Sequence, residues 1–281
     1  MYKNISFEVE VERGERFEFG KNWAKYLKTL NPERMEVARK SLQEMLGTRS
    51  LEGKSFLDIG SGSGLFSWAA RSLGADVYSF DYDADSVACT RELKRRYFDN
   101  DDRWRIIQGS VLDGDFIASL PKVDIVYSWG VLHHTGNMWM ALENALKPLS
   151  EEGLIFISLY NDQGPKSKYW LKVKKLYNKG LLGKTAVQAV FIPRYIILPF
   201  IKDIILLRNP LTRYREYKKE RGMSRFHDFL DWWGGLPFEV ASVEEVFHFF
   251  REKGFALRNI KRSMAVQDAT SSFLKDSACG Y

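Results

Sequence analysis

The sequence predicts an α/β fold, a doubly wound, mostly parallel sheet with helices on both faces and a helical insertion after the fifth strand. Two observations predict it. Short apolar runs alternate with helical patterns between Ser55 and Leu159, as βαβ units require. The first run opens into three alternating glycines, Gly60, Gly62 and Gly64, with a helical pattern directly after. A glycine-rich bend between strand and helix is where such Rossmann-like sheets bind ligands.

The elements follow in order. Residues 14–46 read as helical, with Asn31 as N-cap and Pro32 at the first helical position. Strands are expected at Ser55–Ile59, Asp76–Phe80, Arg103–Gln108, Val123–Ser128 and Gly153–Leu159, and helices at Leu65–Leu73, Asp85–Tyr97 and Met138–Leu146. The alternation stops after Tyr160. Residues 165–220 read as helical, basic and punctuated by proline. A glycine-rich stretch, 222–239, leads to a helix over Val243–Lys253, announced by the capping-box pair Ser242 and Glu245. A sixth strand is expected at Phe255–Ile260 and a seventh around Ser271–Leu274. The chain thus divides into an N-terminal helical segment (1–50), a core (51–164), a basic helical insertion (165–241) and a C-terminal completion of the core (242–281).

With 281 residues, 45% of them apolar, the chain can build one large core carrying an insertion. Its two cysteines, Cys89 and Cys279, lie far apart without C-x-x-C spacing, which argues against a disulfide framework or a zinc site and fits a reducing compartment. The N-terminus is polar and acidic, unlike a signal peptide. The most apolar stretch, 186–207, is interrupted by Pro193, Arg194, Pro199, Lys202 and Asp203. Its uncharged runs fall short of the ~18 residues of a membrane span, so a soluble, cytoplasmic protein is expected. Net charge is +6, yet residues 166–221 hold fifteen Lys or Arg against three acids. That segment is an expected cover for the site, and its charge suits an anionic or amphipathic small molecule, a peripheral contact with a membrane surface, or a solvated face. Nucleic acid is the weaker candidate, since no RNA-binding module is recognisable.

The glycine cluster narrows the ligand. Counting from Gly60, the sixth position of a dinucleotide fingerprint is Leu65; counting from Gly62 it is Ser67. Neither is glycine, which argues against a nicotinamide or flavin. Gly183-Lys184-Thr185 is not a phosphate loop either, because Asn178 stands where its first glycine belongs. Asp81, at the end of the second strand, can accept hydrogen bonds from both hydroxyls of a ribose; the alternative is a cap for the next helix. Tyr82 beside it can pack on a base.

These residues resemble a family. Asp58-x-Gly60-x-Gly62-x-Gly64 followed by Asp81 is similar to the first two motifs of the class I S-adenosylmethionine-dependent methyltransferases, and Ile107–Asp113 to their third. Asp124–His134 resembles the fourth strand and following loop of the branch that includes the ubiquinone-biosynthesis O-methyltransferases. The resemblance covers residues 50–160. It implies the cofactor S-adenosylmethionine, with S-adenosylhomocysteine as product. Gly60, Ser61 and Gly62 would contact the methionine part, while Asp58 would hold the loop or reach the amino group. Asp81 would bind the ribose and Trp129 would lie beside the methionine moiety or face the sulfonium. The acid that often meets adenine is replaced by Ser110, leaving Ser110, Asp113 or the backbone of Val111 for that contact.

Methyl transfer from a sulfonium depends on positioning, and a hydroxyl or amine acceptor gains from a base within reach. His133 and His134 follow the fourth strand, and the family pattern favours His134. Tyr160 after the fifth strand can orient an acceptor. His227 and Asp228 form a further candidate base pair, with Glu239 weaker. No set of residues has metal-ligand spacing. The expected function is O-methylation of a small molecule. Its rivals are methylation of tRNA or rRNA, and a non-catalytic module that binds the cofactor and acts through its basic surface. Oligomeric state is not legible.

Overall fold

The computed structural model describes residues 7–209, 232–262 and 268–275. Among them, seven strands form one sheet in the order β3-β2-β1-β4-β5-β7-β6. In chain order these are β1 (Ser55–Ile59), β2 (Asp76–Asp81), β3 (Trp104–Gln108), β4 (Val123–Trp129), β5 (Leu149–Tyr160), β6 (Phe255–Arg262) and β7 (Asp268–Lys275). The first five are mutually parallel, and β7 runs antiparallel between β5 and β6. Both C-terminal strands expected from the sequence are present.

Side-chain alternation divides the core in two. On β5, Ile155, Ile157 and Leu159 face one layer together with Leu57, Ile59 and Val126. Leu154 and Phe156 face the other with Phe56, Ile125 and Tyr127. A parallel sheet buried on both faces gives such near-continuous apolar runs. The second layer is covered by α3 (Pro32–Leu46), α4 (Leu65–Ser72) and α5 (Ala84–Tyr97); the first by α6 (Gly114–Ser119), α7 (Met138–Leu146) and α11 (Val243–Glu252). Local chemistry sets several helix starts. Asn31 accepts from Arg34 N–H at 3.0 Å, and Ser242 and Glu245 close a complete capping box.

Several expectations need correction. Residues 14–46 are not one helical run: α2 (Phe19–Leu27) and α3 are separate, and another helix, α1 (Phe7–Glu12), precedes them. β5 starts at Leu149, four residues before the expected Gly153, because a register irregularity lets Val123 pair Leu149 and Ile125 pair Leu154. The prolines do not break the insertion. Its described part comprises α8 (Pro165–Tyr177), α9 (Leu181–Ile192), a π turn at Pro193–Ile197 and α10 (Leu198–Ile205). Pro193 opens the π turn and Pro199 follows it closely, so the locally widened turn accommodates prolines that lack the N–H of an interior helical residue. Residues Leu181–Ile205 run as one helix, long and apolar enough by length and composition to cross a membrane, although its uncharged runs are as short as the sequence indicates. Val187 and Phe191 of α9 pack with Val173 and Tyr177 of α8 and with Trp233.

Candidate functional site

The strands' C-terminal ends bring the expected residues together. After β1 the backbone turns through Gly60, Gly62 and Gly64 with φ of +77°, +54° and +78°, values that favour glycine. Close neighbours reinforce that requirement. A Cβ on Gly60 would lie 2.4 Å from Val131, and one on Gly62 3.0 Å from the Trp23 ring. The loop after β4 and helix α2 thus both press on the glycine bend.

Asp81 sits beside that bend. Its Oδ2 accepts from Gly62 N–H at 2.9 Å and its Oδ1 from Asp83 N–H at 3.0 Å. Burial is the main reason its carboxyl is pushed up to about 6, with Asp83 adding like-charge repulsion. Capping of the next helix falls to Asp83 instead, which accepts from Asp85 N–H at 2.9 Å. Asp58 is buried beneath the loop and accepts from Ser67 Oγ at 2.5 Å. Burial, opposed by that hydrogen bond and assisted by the Asp81 charge, pushes it up to about 7. Ser61 Oγ lies 2.9 Å from Thr90 Oγ1.

The adenine candidates have distinct engagements. Asp113 accepts from Asp115 and Phe116 N–H as the N-cap of α6. The Val111 carbonyl accepts from Asn144 at 2.8 Å, and Ser110 Oγ accepts from Leu112 N–H at 3.2 Å. Tyr82 is half-buried against Phe7, with the Arg16 guanidinium 5.1 Å from its ring centre. Trp129 stacks on Phe66 at 5.4 Å and on Phe156 at 6.0 Å, in the aromatic column that includes Tyr127.

A second cluster forms where β4 and β5 end. His133, His134 and Tyr160 pack ring to ring, with centroids 4.4 Å apart for the two histidines and 3.9 Å for His133 and Tyr160. His134 Nδ1 lies 2.5 Å from the Pro237 carbonyl. A ring nitrogen facing a carbonyl must carry the proton, so the neutral ring leaves Nε2 as an acceptor. Burial, and next the Lys174 charge, pull His134 down to about 3. His133 is only 1% exposed and neither ring nitrogen has a protein partner. Leaving such groups dry and unpaired costs about 1–3 kcal/mol each.

Lys174 escaped the sequence reading. It is 0% exposed; its ammonium donates to the Trp232 carbonyl and lies 4.8 Å from the Trp232 ring, 4.9 Å from Phe238 and 6.0 Å from Tyr160. Its position gave a signal: Lys174 is four residues after Trp170 and three before Tyr177, on the inward face of α8. Glu239 is not at a reactive position, since its carboxylate accepts from Met138 N–H at the start of α7. His227 and Asp228 lie outside the described residues. Among those described, no group of His, Cys, Asp and Glu is placed to hold a metal ion.

The segment before β1 closes over both clusters. Gly20 N–H donates to Asp83 at 2.7 Å, and Arg16 donates to the carbonyls of His134 and Thr135 at 3.0 and 3.3 Å. The motif Phe19-Gly-Lys-Asn-Trp23, with no role readable from sequence, is what docks on the glycine bend.

Comparison with known proteins matches residues 57–155 to a methyltransferase domain family. The chain is 30% identical over 160 residues to a ubiquinone biosynthesis O-methyltransferase of Glaesserella parasuis serovar 5 (strain SH0165), which takes in 54% of this chain and 65% of that protein. It is 33% identical over 84 residues to a ribosomal protein L11 methyltransferase of Helicobacter hepaticus (strain ATCC 51449 / 3B1), covering 30% and 25% of the two. The chain thus spans less than two thirds of either relative. Among solved structures, magnesium protoporphyrin IX methyltransferase of Synechocystis PCC 6803 with bound SAH aligns at TM-score 0.52 and 12% identity, over 91% of this chain and 94% of that one. A Haloferax volcanii complex of a methyltransferase activator with a putative methyltransferase aligns at 0.52 and 13%, over 95% and 100%. At these identities the structural likeness establishes the shared fold.

Proposed function

We propose that this chain, whose residues 57–155 match a methyltransferase domain family, is a class I methyltransferase that binds S-adenosylmethionine and transfers its methyl group to the oxygen of an anionic or amphipathic small molecule. The observation that carries the reading is Asp81, a carboxylate held at the glycine bend with its pKa raised by burial. Desolvation of an acid without a basic partner is unfavourable in the free protein, and two ribose hydroxyls donating to it would relieve that cost.

The residues present fit the cofactor. The N–H groups of Gly60 and Ser61 donate to the Phe80 carbonyl and that of Gly62 to Asp81, so the bend offers the methionine part its carbonyl oxygens, and Asp58, engaged with Ser67, braces it. Asp113 Oδ1 caps α6 and the Val111 carbonyl holds Asn144, so the adenine contact falls to the Ser110 hydroxyl, the Val111 N–H or Asp113 Oδ2. Tyr82 lines that side. Bound there, the cofactor supplies a methyl group on a positive sulfur, already activated toward displacement.

The acceptor belongs beside the second cluster. Lys174 places a buried positive charge there, which lowers the pKa of an acceptor hydroxyl and favours its anion. His134 Nε2 accepts that hydroxyl's hydrogen bond. At a pKa near 3 the free imidazole is a weak base, so its first role is orientation; an acceptor anion alongside would raise its basicity. The unsatisfied nitrogens of His133 offer further polar contacts, and Tyr160 packs on the acceptor's apolar part.

The test is incubation of the protein with methyl-labelled S-adenosylmethionine and metabolite extracts, read by mass spectrometry. Labelled methyl on a small molecule, with matching S-adenosylhomocysteine, is expected and should fall sharply in Lys174→Met. Label found only in RNA would replace the small-molecule reading. Cofactor binding without any product would leave a non-catalytic binding module.

A further inference from the structure

Among the described residues, the continuous helix Leu181–Ile205 meets the body of the protein along one side. Val187 and Phe191 are buried against α8 and Trp233. The rest faces outward: Leu182 is 87% exposed, Ile205 73% and Leu207 96%, with Leu181, Val190, Leu198 and Ile204 each more than half exposed. A surface of that size and apolarity on a globular protein marks a binding face.

Charge identifies what covers it. From residue 163 to residue 208 the only acid is Asp203, and Asp203 is buried. Every exposed charge that residues 163–208 supply is therefore positive, Lys184, Arg194, Lys202 and Arg208 among them. Aliphatic side chains interspersed with cations and free of exposed anions match the interface of an anionic bilayer, where acyl chains take the former and headgroup phosphates the latter. A spanning helix is disfavoured although the length suffices, about 37 Å at ~1.5 Å per residue. Crossing would carry Arg194, together with Lys184 or Lys202, into hydrocarbon and strip Val187 and Phe191 from their packing.

We propose that residues 181–208 dock this protein in the plane of an anionic membrane surface, embedding the outer face of the helix among the headgroups. The docked helix would also stand next to the acceptor cluster. Phe191 lies 5.5 Å from Trp170, Trp170 5.3 Å from Trp232, and Trp232 5.6 Å from Tyr160, an aromatic series leading from the inner side of the helix to the site. An amphipathic acceptor dissolved in the bilayer would reach the enzyme from this side.

The experiment is co-sedimentation of the full chain with vesicles of phosphatidylcholine alone or mixed with phosphatidylglycerol. Partition should rise at least about tenfold with the anionic lipid, as two or more interfacial cations imply. The triple variant Leu182→Ser, Ile205→Ser, Leu207→Ser alters only exposed positions. It should keep the native circular dichroism and lose roughly tenfold or more of the partition. The pair Lys184→Gln, Arg194→Gln should remove much of the phosphatidylglycerol dependence. Unchanged partition in the triple variant overturns the proposal. So does a wild-type protein that ignores both vesicles and instead forms a dimer, abolished by the triple variant, in sedimentation velocity. Resistance to alkaline carbonate extraction from cell membranes overturns it in favour of a span. Vesicle binding is measured without cofactor or acceptor, so its failure leaves the methyl-transfer reading standing.

Discussion

Replacing Asp81 by Asn should move cofactor affinity and fold stability in opposite directions. The carboxyl rises from 3.8 to about 6 on folding, chiefly through burial. Two pKa units correspond to roughly 3 kcal/mol, an upper figure given the partial exposure of the side chain. The sign follows from proton linkage. Between about pH 4 and 6 the folded protein holds a proton that the unfolded chain has released, so stability falls as pH rises through that window and stays lowered above it. The neutral amide of the Asp81→Asn variant would carry no charge and escape that cost. At neutral pH the variant without ligand should melt no lower than the parent, despite weakening the contacts to the N–H groups of Gly62 and Asp83. Affinity should behave oppositely. Two hydrogen bonds to a charged acceptor contribute about 1.5–3 kcal/mol each, so losing their charged character should weaken S-adenosylhomocysteine binding on the order of a hundredfold. In the parent, affinity should fall about tenfold per pH unit below about 6 as Asp81 protonates; in the variant that slope should vanish. Titration calorimetry between pH 5 and 8, paired with thermal melts, reads both. Unchanged affinity with lowered stability would make Asp81 a brace for the bend and remove the ribose assignment.

Three further outcomes are expected. His134→Gln, which keeps an acceptor near Nε2 without the ring, should lower turnover by at least about tenfold while S-adenosylhomocysteine affinity in calorimetry stays within about twofold; equal turnover would dismiss His134. Gly20→Ala would place a Cβ 2.6 Å from Asp83 Oδ2. It should destabilise by about 1–3 kcal/mol and speed proteolysis between α2 and α3, and an unaltered cleavage pattern would deny the docking of α2. Ser242→Ala removes the capping box of α11 at about 1 kcal/mol, a drop of about 2–4 °C in thermal melting.

Legibility in the sequence tracked the range of the interactions. The strands, the glycine bend and the cap at Ser242 rest on periodicity or on residues close in sequence, and they were readable. Gly20 was not, because its need for a bare Cα arises from Asp83, 63 positions away. Lys174 stands in Trp-Leu-Lys-Val-Lys-Lys-Leu-Tyr: helical spacing puts it on the face of Trp170 and Tyr177, but only the packing of α8 against 232–238 shows that this face encloses a charge. The early start of β5 depends on a pairing irregularity that no local pattern announces. The helix runs on through Pro193 and Pro199 by way of a π turn, a local rearrangement that the prolines themselves do not announce. Of the site, the cofactor side is a contiguous motif plus one acid, while the acceptor side gathers residues from the turn after β4, the end of β5, α8 and the segment around Pro237, a combination only the fold reveals.

The position of β7 has a consequence for how the molecule is made. β5 finds its outer neighbour not in the next strand of the chain but in the one after it, so a growing chain that has released β6 still has an unsealed border along Leu154–Tyr160. Ribosomal synthesis must proceed past Lys275 before that border is covered, and until then its bare amides and apolar side chains are open to a neighbouring nascent copy. A chain interrupted before Asp268 should therefore accumulate as insoluble aggregate even though every ligand-contacting residue proposed above has already been synthesised.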